Sequence, residues 1–344
     1  MRRSALAALP ILCAIAGSAG GQETDRWRFR QAQLENDVLW VPYSQPGDRF
    51  YTNGMRVSFG NGVYSPGADE SRMPSWLEPV RKTCANCLIF PNLSIGQQIY
   101  TPEDIENPDP QPGERPWAAW LYAGFGAAVD PAPGTRHDFE LQFGVTGEPA
   151  LGEFVQSTWH EIIGSPEPQG WDNQFGPDIG VNGYYSFQHI LFEAPSDHVV
   201  DWDFVPLARV AVGTMMTYGG VGATFRVGRN ITDFPYSPIR PSERGVTVRE
   251  APNLEIYGFI GAEGRAVAYH YFLEGALWDD EPQAVEPKSY VWDFNFGVTA
   301  RFKHYNITYA IVRRSEEFER TVGTDDGVHS FGSLSFTVGI RTAR

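Results

Sequence analysis

His160 stands one helical turn after Gln156, and no pairing in this 344-residue chain is better suited to acid–base chemistry. Residues four apart share a helix face, and an imidazole titrates close to neutrality, so it can accept a proton as a general base. The other six histidines (His137, His189, His198, His270, His304 and His329) fall in or beside strand and turn patterns with no polar cluster around them. A second concentration of chemistry is Glu35-Asn36-Asp37-Val38-Leu39-Trp40, followed by Asp48-Arg49-Phe50-Tyr51-Thr52-Asn53-Gly54-Met55-Arg56. It supplies carboxylates, amides, a hydroxyl and guanidinium groups. Turns also favour Asp, Asn and Gly, but Arg49, Tyr51, Thr52 and Arg56 add more hydrogen-bonding capacity than a solvated turn requires. Gly170-Trp171-Asp172-Asn173-Gln174 forms a third polar and aromatic cluster.

Familiar hydrolase signatures are missing. There is no Gly-x-Ser-x-Gly elbow, and His160-Glu161-Ile162-Ile163-Gly164 lacks the second histidine of a zinc-protease helix. Gly219-Gly220-Val221-Gly222 precedes no helix and reads as tight strand rather than as a phosphate loop.

These residues need elements to hold them. Phe29, Ala32 and Leu34 are mixed with Arg28, Arg30, Gln31 and Gln33, while Met55, Val57 and Phe59 alternate with Arg56, Ser58 and Gly60. Period-2 alternation predicts two strands, with the polar cluster at the rim of a hairpin. Leu151, Phe154, Val155, Trp159, Ile162 and Ile163 recur at helical spacing between Pro149 and Gly164, which predicts one amphipathic helix. Further runs over 93–100, 117–129, 137–146, 180–193, 200–214, 217–228, 253–262, 265–274, 289–301, 304–313 and 332–342 predict strands.

Met1-Arg2-Arg3, an apolar run from Ala5 to Ile15 and Ala16-Gly17-Ser18-Ala19 have the layout of a secretory signal peptide over residues 1–19. Cys13 follows Pro10-Ile11-Leu12, not the small residues of a lipoprotein box. The apolar core is too short for a membrane-spanning helix, and no other stretch is long enough. Residues 20–344 then form one domain, and if it lies in a membrane only a closed β-barrel can satisfy its backbone there. Thirty-six glycines, 14% aromatic residues and a mean hydropathy of −0.31 suit strands with one lipid-facing and one polar face, although a soluble β-sandwich would look similar. A net charge of −15 and a pI near 4.9 exclude a nucleic-acid partner, which needs a basic footprint. Cys84 and Cys87 read as a disulfide within a loop of an exported protein rather than as a redox or zinc site.

Strand order carries a further argument. If the first strand runs upward, the 38–52 connection, the 101–116 loop and the helix with Gln156, His160 and Trp171 all fall on the upper rim. The count reaches about thirteen, whereas closed bacterial barrels have an even number. The surplus strand is expected between 180 and 228.

Several of these segments also resemble a known family. Glu35-Asn36-Asp37 with Asp48-Arg49-Phe50-Tyr51-Thr52-Asn53-Gly54 resembles the opening of the outer-membrane lipid A 3′-O-deacylases. Gln156, His160 and Gly170-Trp171-Asp172-Asn173-Gln174 resemble a second signature, and Gly96-Gln97-Gln98-Ile99-Tyr100-Thr101-Pro102 a third. Arg115-Pro116-Trp117-Ala118 and Arg314-Ser315-Glu316-Glu317-Phe318 resemble two more, in the expected order along most of the chain.

The resemblance implies an all-β chain: a transmembrane antiparallel barrel of about twelve strands in the bacterial outer membrane, with one short extracellular helix. It implies an ester hydrolase that removes the 3′-linked acyloxyacyl group of lipid A, with lipopolysaccharide and outer-membrane lipids as its partners. His160 would activate a water, and a divalent cation, Ca2+, would polarise the carbonyl. Asn36, Asp37 and Thr52 match site positions, with Asp37 a hard oxygen ligand for the metal. Gln156 belongs to the same site, and Glu167 is the nearest carboxylate after the helix. Trp171 and one or more of Arg49, Arg56 and Arg115 would bind the substrate and its phosphates. A passive porin and a phospholipase-type barrel esterase are the alternatives.

Overall fold

The computed structural model describes residues 26–39, 49–61, 75–84, 86–194, 200–232, 234–235, 251–279, 281–321 and 327–342. The expected leader over 1–19 lies outside these residues, as do Trp40 and Asp48.

Alternation of outward apolar and inward polar residues dictates the architecture. Along the strand Thr135–Thr146, Arg136, Asp138, Glu140 and Gln142 are buried, while Phe139, Leu141 and Phe143 are exposed. A chain whose apolar side chains point out and whose charges point in is shaped for lipid around a polar lumen. Twelve long strands follow one another as an up-and-down meander: β1 Arg26–Asn36, β2 Phe50–Asn61, β3 Leu88–Thr101, β4 Ala118–Ala132, β5 Thr135–Thr146, β6 Ile179–His189, β7 Asp201–Gly213, β8 Met216–Arg229, β9 Ala251–His270, β10 Tyr290–Lys303, β11 Tyr305–Arg314 and β12 His329–Thr342. Each pairs antiparallel with its neighbours in sequence. β1 pairs with β12, and β6 with β7, so the sheet closes on itself. A two-residue ladder, Phe192–Glu193, sits on β7 and does not enter the ring.

The surplus strand was expected between 180 and 228, and the structure corrects that. The runs 253–262 and 265–274 are one strand, β9, which ends at His270. Glu263 and Arg265 are buried in the lumen, and Ala262, Gly264 and Ala266 between them face outward. Polar residues that resemble a turn in sequence are here the inward half of an unbroken alternation.

The lumen is a packed interior. Bidentate pairs join Arg136 to Asp130, Arg226 to Asp203 and Arg314 to Asp293, and Arg265 reaches Asp293 at 2.7 Å. Near the upper mouth, Tyr51 (β2), Tyr100 (β3), Trp120 and Tyr122 (β4), Tyr269 (β9), Val312 (β11) and Phe331 (β12) form one cluster drawn from around the ring. The short helix α3 (Tyr271–Glu274; numbered after α1 and α2, given next) drops Tyr271 and Phe272 into it, with Phe272 stacked on Tyr100.

The expected helix is present as α2, Gly152–Ile163, entered through a 3-10 turn at Glu148–Ala150. It is not the one helix of the chain: α1, Glu78–Thr83, lies in the β2–β3 connection beside the Cys84–Cys87 disulfide. The meander places the β1–β2, β3–β4 and β5–β6 connections at one end, the upper rim, together with α3. The β2–β3 connection and the β4–β5 turn lie at the other.

Candidate active site

Strand alternation divides the opening polar cluster in two. Glu35 faces the lumen, where it accepts hydrogen bonds from Tyr51 Oη at 2.8 Å and Ser333 Oγ at 3.1 Å. Asn36, one residue on, lies on the outer face and pairs in register with Asn53, which continues the outward row of Met55 and Val57 on β2. The acid–amide group is therefore not one face-to-face cluster. A wall of the barrel separates Glu35 from Asn36 and Asn53.

Thr52 is the extra residue of a bulge between Tyr51 and Asn53, the device by which a strand re-aims a side chain. Phe50, just before it, holds a left-handed φ of 65°, rare for a bulky residue. The bulge presents the Thr52 carbonyl to Asn36 Nδ2–H at 3.0 Å and to the Asp37 N–H at 3.3 Å. The Thr52 hydroxyl lies 2.6 Å from that of Thr101, across to β3. Asp37 Oδ2 accepts the backbone N–H of Arg49 at 2.9 Å, closing the described part of the loop around a buried carboxylate.

Helix α2 covers the same wall. Most of its apolar residues do not face the barrel: Leu151, Phe154, Ile162 and Ile163 are exposed, Phe154 by 66%, while Val155 packs on the wall and the buried residues are Gly152, Gln156 and His160. Their i, i+4, i+8 spacing makes one polar stripe, and this stripe is turned to the wall. A Cβ on Gly152 would come within 2.7 Å of that of Ala119 and within 2.4 Å of the Trp171 ring. Trp171, tilted by 56° against Trp117 with ring centroids 5.0 Å apart, donates its indole N–H to Gln156 Oε1 at 2.9 Å. Ile99 and Ala119 of the wall pack with Ala150 and Trp171, and Gln97 Nε2 donates to the Ala150 carbonyl at 2.6 Å. Beyond the helix, His160 Nδ1 is hydrogen-bonded to the Pro166 carbonyl. A carbonyl only accepts, so Nδ1 carries the proton and a neutral ring keeps its lone pair on Nε2.

Asn36, Thr52 and Thr101 thus lie on the outer side of the wall on which Trp171 and Gln156 pack, with His160 on the same stripe of α2 and Asp37 at the head of the hairpin. The remaining expected site residues are placed differently. Glu167 is exposed on the loop past α2. Arg56 lies inside the barrel, ion-paired with Glu140, so it does not face the outer wall. Arg115 is likewise interior, 2.9 Å from Glu317 and over the Tyr100 ring, a contact that joins two of the sequence segments singled out above. Arg49 is at the rim, near Glu103 at 3.5 Å. Trp171 is buried behind the helix as a support for Gln156.

Asn53, Gln97 and Thr101 stand in the sequence only as members of family-like segments, with no role to be read for them, and the Pro166 carbonyl carries no signal there. A signal was available for Gln97: it continues the outward row of Leu93 and Ile95, where lipid demands an apolar side chain.

The oxygen donors carried at the head of the hairpin are the Asp37 carboxylate, the Thr52 carbonyl and Asn53 Oδ1. That Asn53 oxygen is buried and without a hydrogen-bonding partner among the described residues. No group of three or more His, Cys, Asp or Glu side chains converges among the described residues. A cation here would be held by one carboxylate and neutral oxygens, a hard set that fits Ca2+ and not Zn2+.

A family model described as Outer membrane protein LpxR matches residues 5–340. No protein of curated function matches the chain. Among solved structures, LpxR from Salmonella typhimurium superposes with a TM-score of 0.70 at 22% identity, covering 90% of this chain and 99% of that one. The beta domain of the Bordetella autotransporter Brka gives a TM-score of 0.42 at 12% identity, over 93% of this chain and 99% of that one.

Proposed function

The chain belongs to the LpxR family of outer-membrane proteins, and from that premise we propose that it is a lipid A deacylase that hydrolyses the 3′-linked acyloxyacyl ester at the outer wall of its own barrel. The observation that carries this reading is the stripe that α2 buries, Gly152, Gln156 and His160, while Leu151, Phe154, Ile162 and Ile163 are exposed. A substrate whose ester sits among acyl chains can enter such a crevice sideways from the membrane. Met55, Leu93, Ile95 and Phe125, exposed on the wall, offer those chains an apolar bed.

In this scheme His160 Nε2 takes a proton from water as the water oxygen attacks the ester carbonyl. Nδ1, hydrogen-bonded to Pro166, keeps the ring in the tautomer required. Collapse breaks the bond to the sugar oxygen, which receives the proton from His160. The products are a free 3′-hydroxyl and the acyloxyacyl acid. Asp37 with Thr52 and Asn53 would hold a divalent cation, which supplies Lewis-acid polarisation of the carbonyl when bound. Gln156 and Trp171 fix the face of α2 that carries the base.

The test is mass spectrometry of lipid A incubated with purified protein, with and without a chelator, alongside His160→Ala. Loss of one acyloxyacyl mass with wild type, and none with a His160→Ala variant that still shows a heat-modifiable barrel, is expected. An unchanged lipid A profile with wild type removes the reading. The passive-channel alternative predicts steady conductance in planar bilayers, against which stands the aromatic cluster across the upper lumen.

A further inference from the structure

Two amides at the interface between α2 and the wall are held in fixed orientation and left half satisfied. Gln97 is 6% exposed, and its Nε2 faces the Ala150 carbonyl. A carbonyl cannot donate, so the amide cannot be flipped, and Oε1 is the atom left over. It is buried and has no hydrogen-bonding partner among the described residues. Gln156 is the converse. It is 3% exposed, and its Oε1 faces the Trp171 indole N–H, which can only donate. Its Nε2 is therefore the remaining atom, buried and likewise without a partner among the described residues.

Buried polar groups are almost always satisfied, and each one that is not costs free energy. Here Gln97 leaves over an acceptor and Gln156 a donor at one interface, where the indole N–H groups of Trp117 and Trp159 are likewise buried without a partner among the described residues. Both amides are locked by obligate partners, and both border the Ala150–Trp171 packing cluster. An acceptor with a donor is the complement of a secondary amide, which offers one N–H and one C=O.

Resting on the deacylase reading, we infer that Gln97 and Gln156 form a recognition pair for an N-acyl linkage, with Gln97 Oε1 accepting the amide N–H and Gln156 Nε2 donating to the amide carbonyl. In an acylated amino sugar such a linkage sits on the carbon next to the ester that is cut. Recognising it positions the ester and rejects lipids whose neighbouring acyl chain is itself an ester. An ester oxygen there carries no hydrogen, so it would leave Gln97 Oε1 buried and unpaired. Gln97 is thereby a specificity residue, and its outward polar position in a lipid-facing row has a use.

The experiment compares synthetic disaccharide lipid A with an analogue in which the 2′-amide nitrogen is replaced by oxygen. Wild type is expected to favour the amide by roughly ten- to hundredfold in kcat/KM, the scale for stranding a buried polar partner. Gln97→Met, shown folded by heat-modifiable migration, is expected to lose most of that preference through a higher KM for the amide substrate, with kcat largely kept. Equal cleavage of both lipids by wild type overturns the inference, as does a Gln97→Met enzyme that retains the full preference. Either result leaves the deacylase reading standing. Failure of wild type to cleave the parent lipid A overturns the deacylase reading and the inference with it.

Discussion

At the scale of the residue, the candidate site depends on carbonyls and hydroxyls that hold the side chains, as much as on those side chains. Thr52 is the clearest case: its carbonyl serves Asn36 and Asp37 while its hydroxyl pairs with Thr101. Thr52→Val keeps the shape and the carbonyl but strands the Thr101 hydroxyl. Lost turnover of roughly ten- to hundredfold is expected, with unaltered barrel migration, and Thr101→Val should partly restore it by removing the stranded partner. A Thr52→Val enzyme as active as wild type would show that the hydroxyl pair has no part in positioning. Arg56 and Arg115 show how misleading residue type alone can be. Both are cations in motif-like segments, yet each is spent on an interior carboxylate, Glu140 and Glu317. Sequence cannot reveal this, because the partners lie 84 and 202 positions away.

At the scale of the element, α2 carries the base and its glycine sets how closely it approaches the wall. Gly152→Val would drive a side chain into Trp171 and Ala119. The expected result is a folded barrel with little deacylase activity, because the stripe bearing Gln156 and His160 is pushed off the wall. Full activity in that variant would show that the helix need not seat so tightly.

Helix α3 offers a pH-dependent test. Burial pushes the Glu274 carboxyl above its ordinary pKa, with Glu286 adding to the effect and the His270 N–H opposing it. A raised folded-state pKa means that the contribution of the group is intact below the ordinary carboxylate range and is lost as pH rises through the raised value. Glu274→Gln keeps an acceptor for the His270 N–H. Its barrel should therefore match wild type in heat-modification midpoint below about pH 4 and exceed it increasingly toward neutrality. A constant offset at every pH would contradict the assignment. The helices also mark the limit of pattern reading. The apolar spacing of α2 locates the element correctly but does not tell which face is buried, which proves to be that of Gly152, Gln156 and His160, with Val155 packed beside it.

At the scale of the whole molecule, the barrel is stabilised inside by ion pairs together with the aromatic cluster of the upper mouth. Asp293 receives both Arg314 and Arg265. Asp293→Ala would leave two guanidinium groups buried beside each other, and removing one member of such a buried network costs about 3–5 kcal/mol. A clearly lowered heat-modification midpoint is expected, and an unchanged one would show that the lumen compensates by admitting water.

The amino-acid sequence by itself determined that this chain is built of alternating strands. In lipid such strands can be satisfied only by a closed barrel, and strand order alone sends the 38–52 connection, the 101–116 loop and the helix with Gln156 and His160 to one rim. Where the strand count went astray, Glu263-Gly264-Arg265 was the reason, because a polar run inside a lumen reads locally like a turn. What only the tertiary structure decided is the side of the wall. Neighbours in sequence such as Glu35 and Asn36 point to opposite faces of a strand, while residues far apart, such as Asn36, Gln97 and Gln156, meet on one outer surface through register and ring closure. Local pattern carries alternation, but which face becomes lumen, lipid bed or crevice depends on contacts between distant segments.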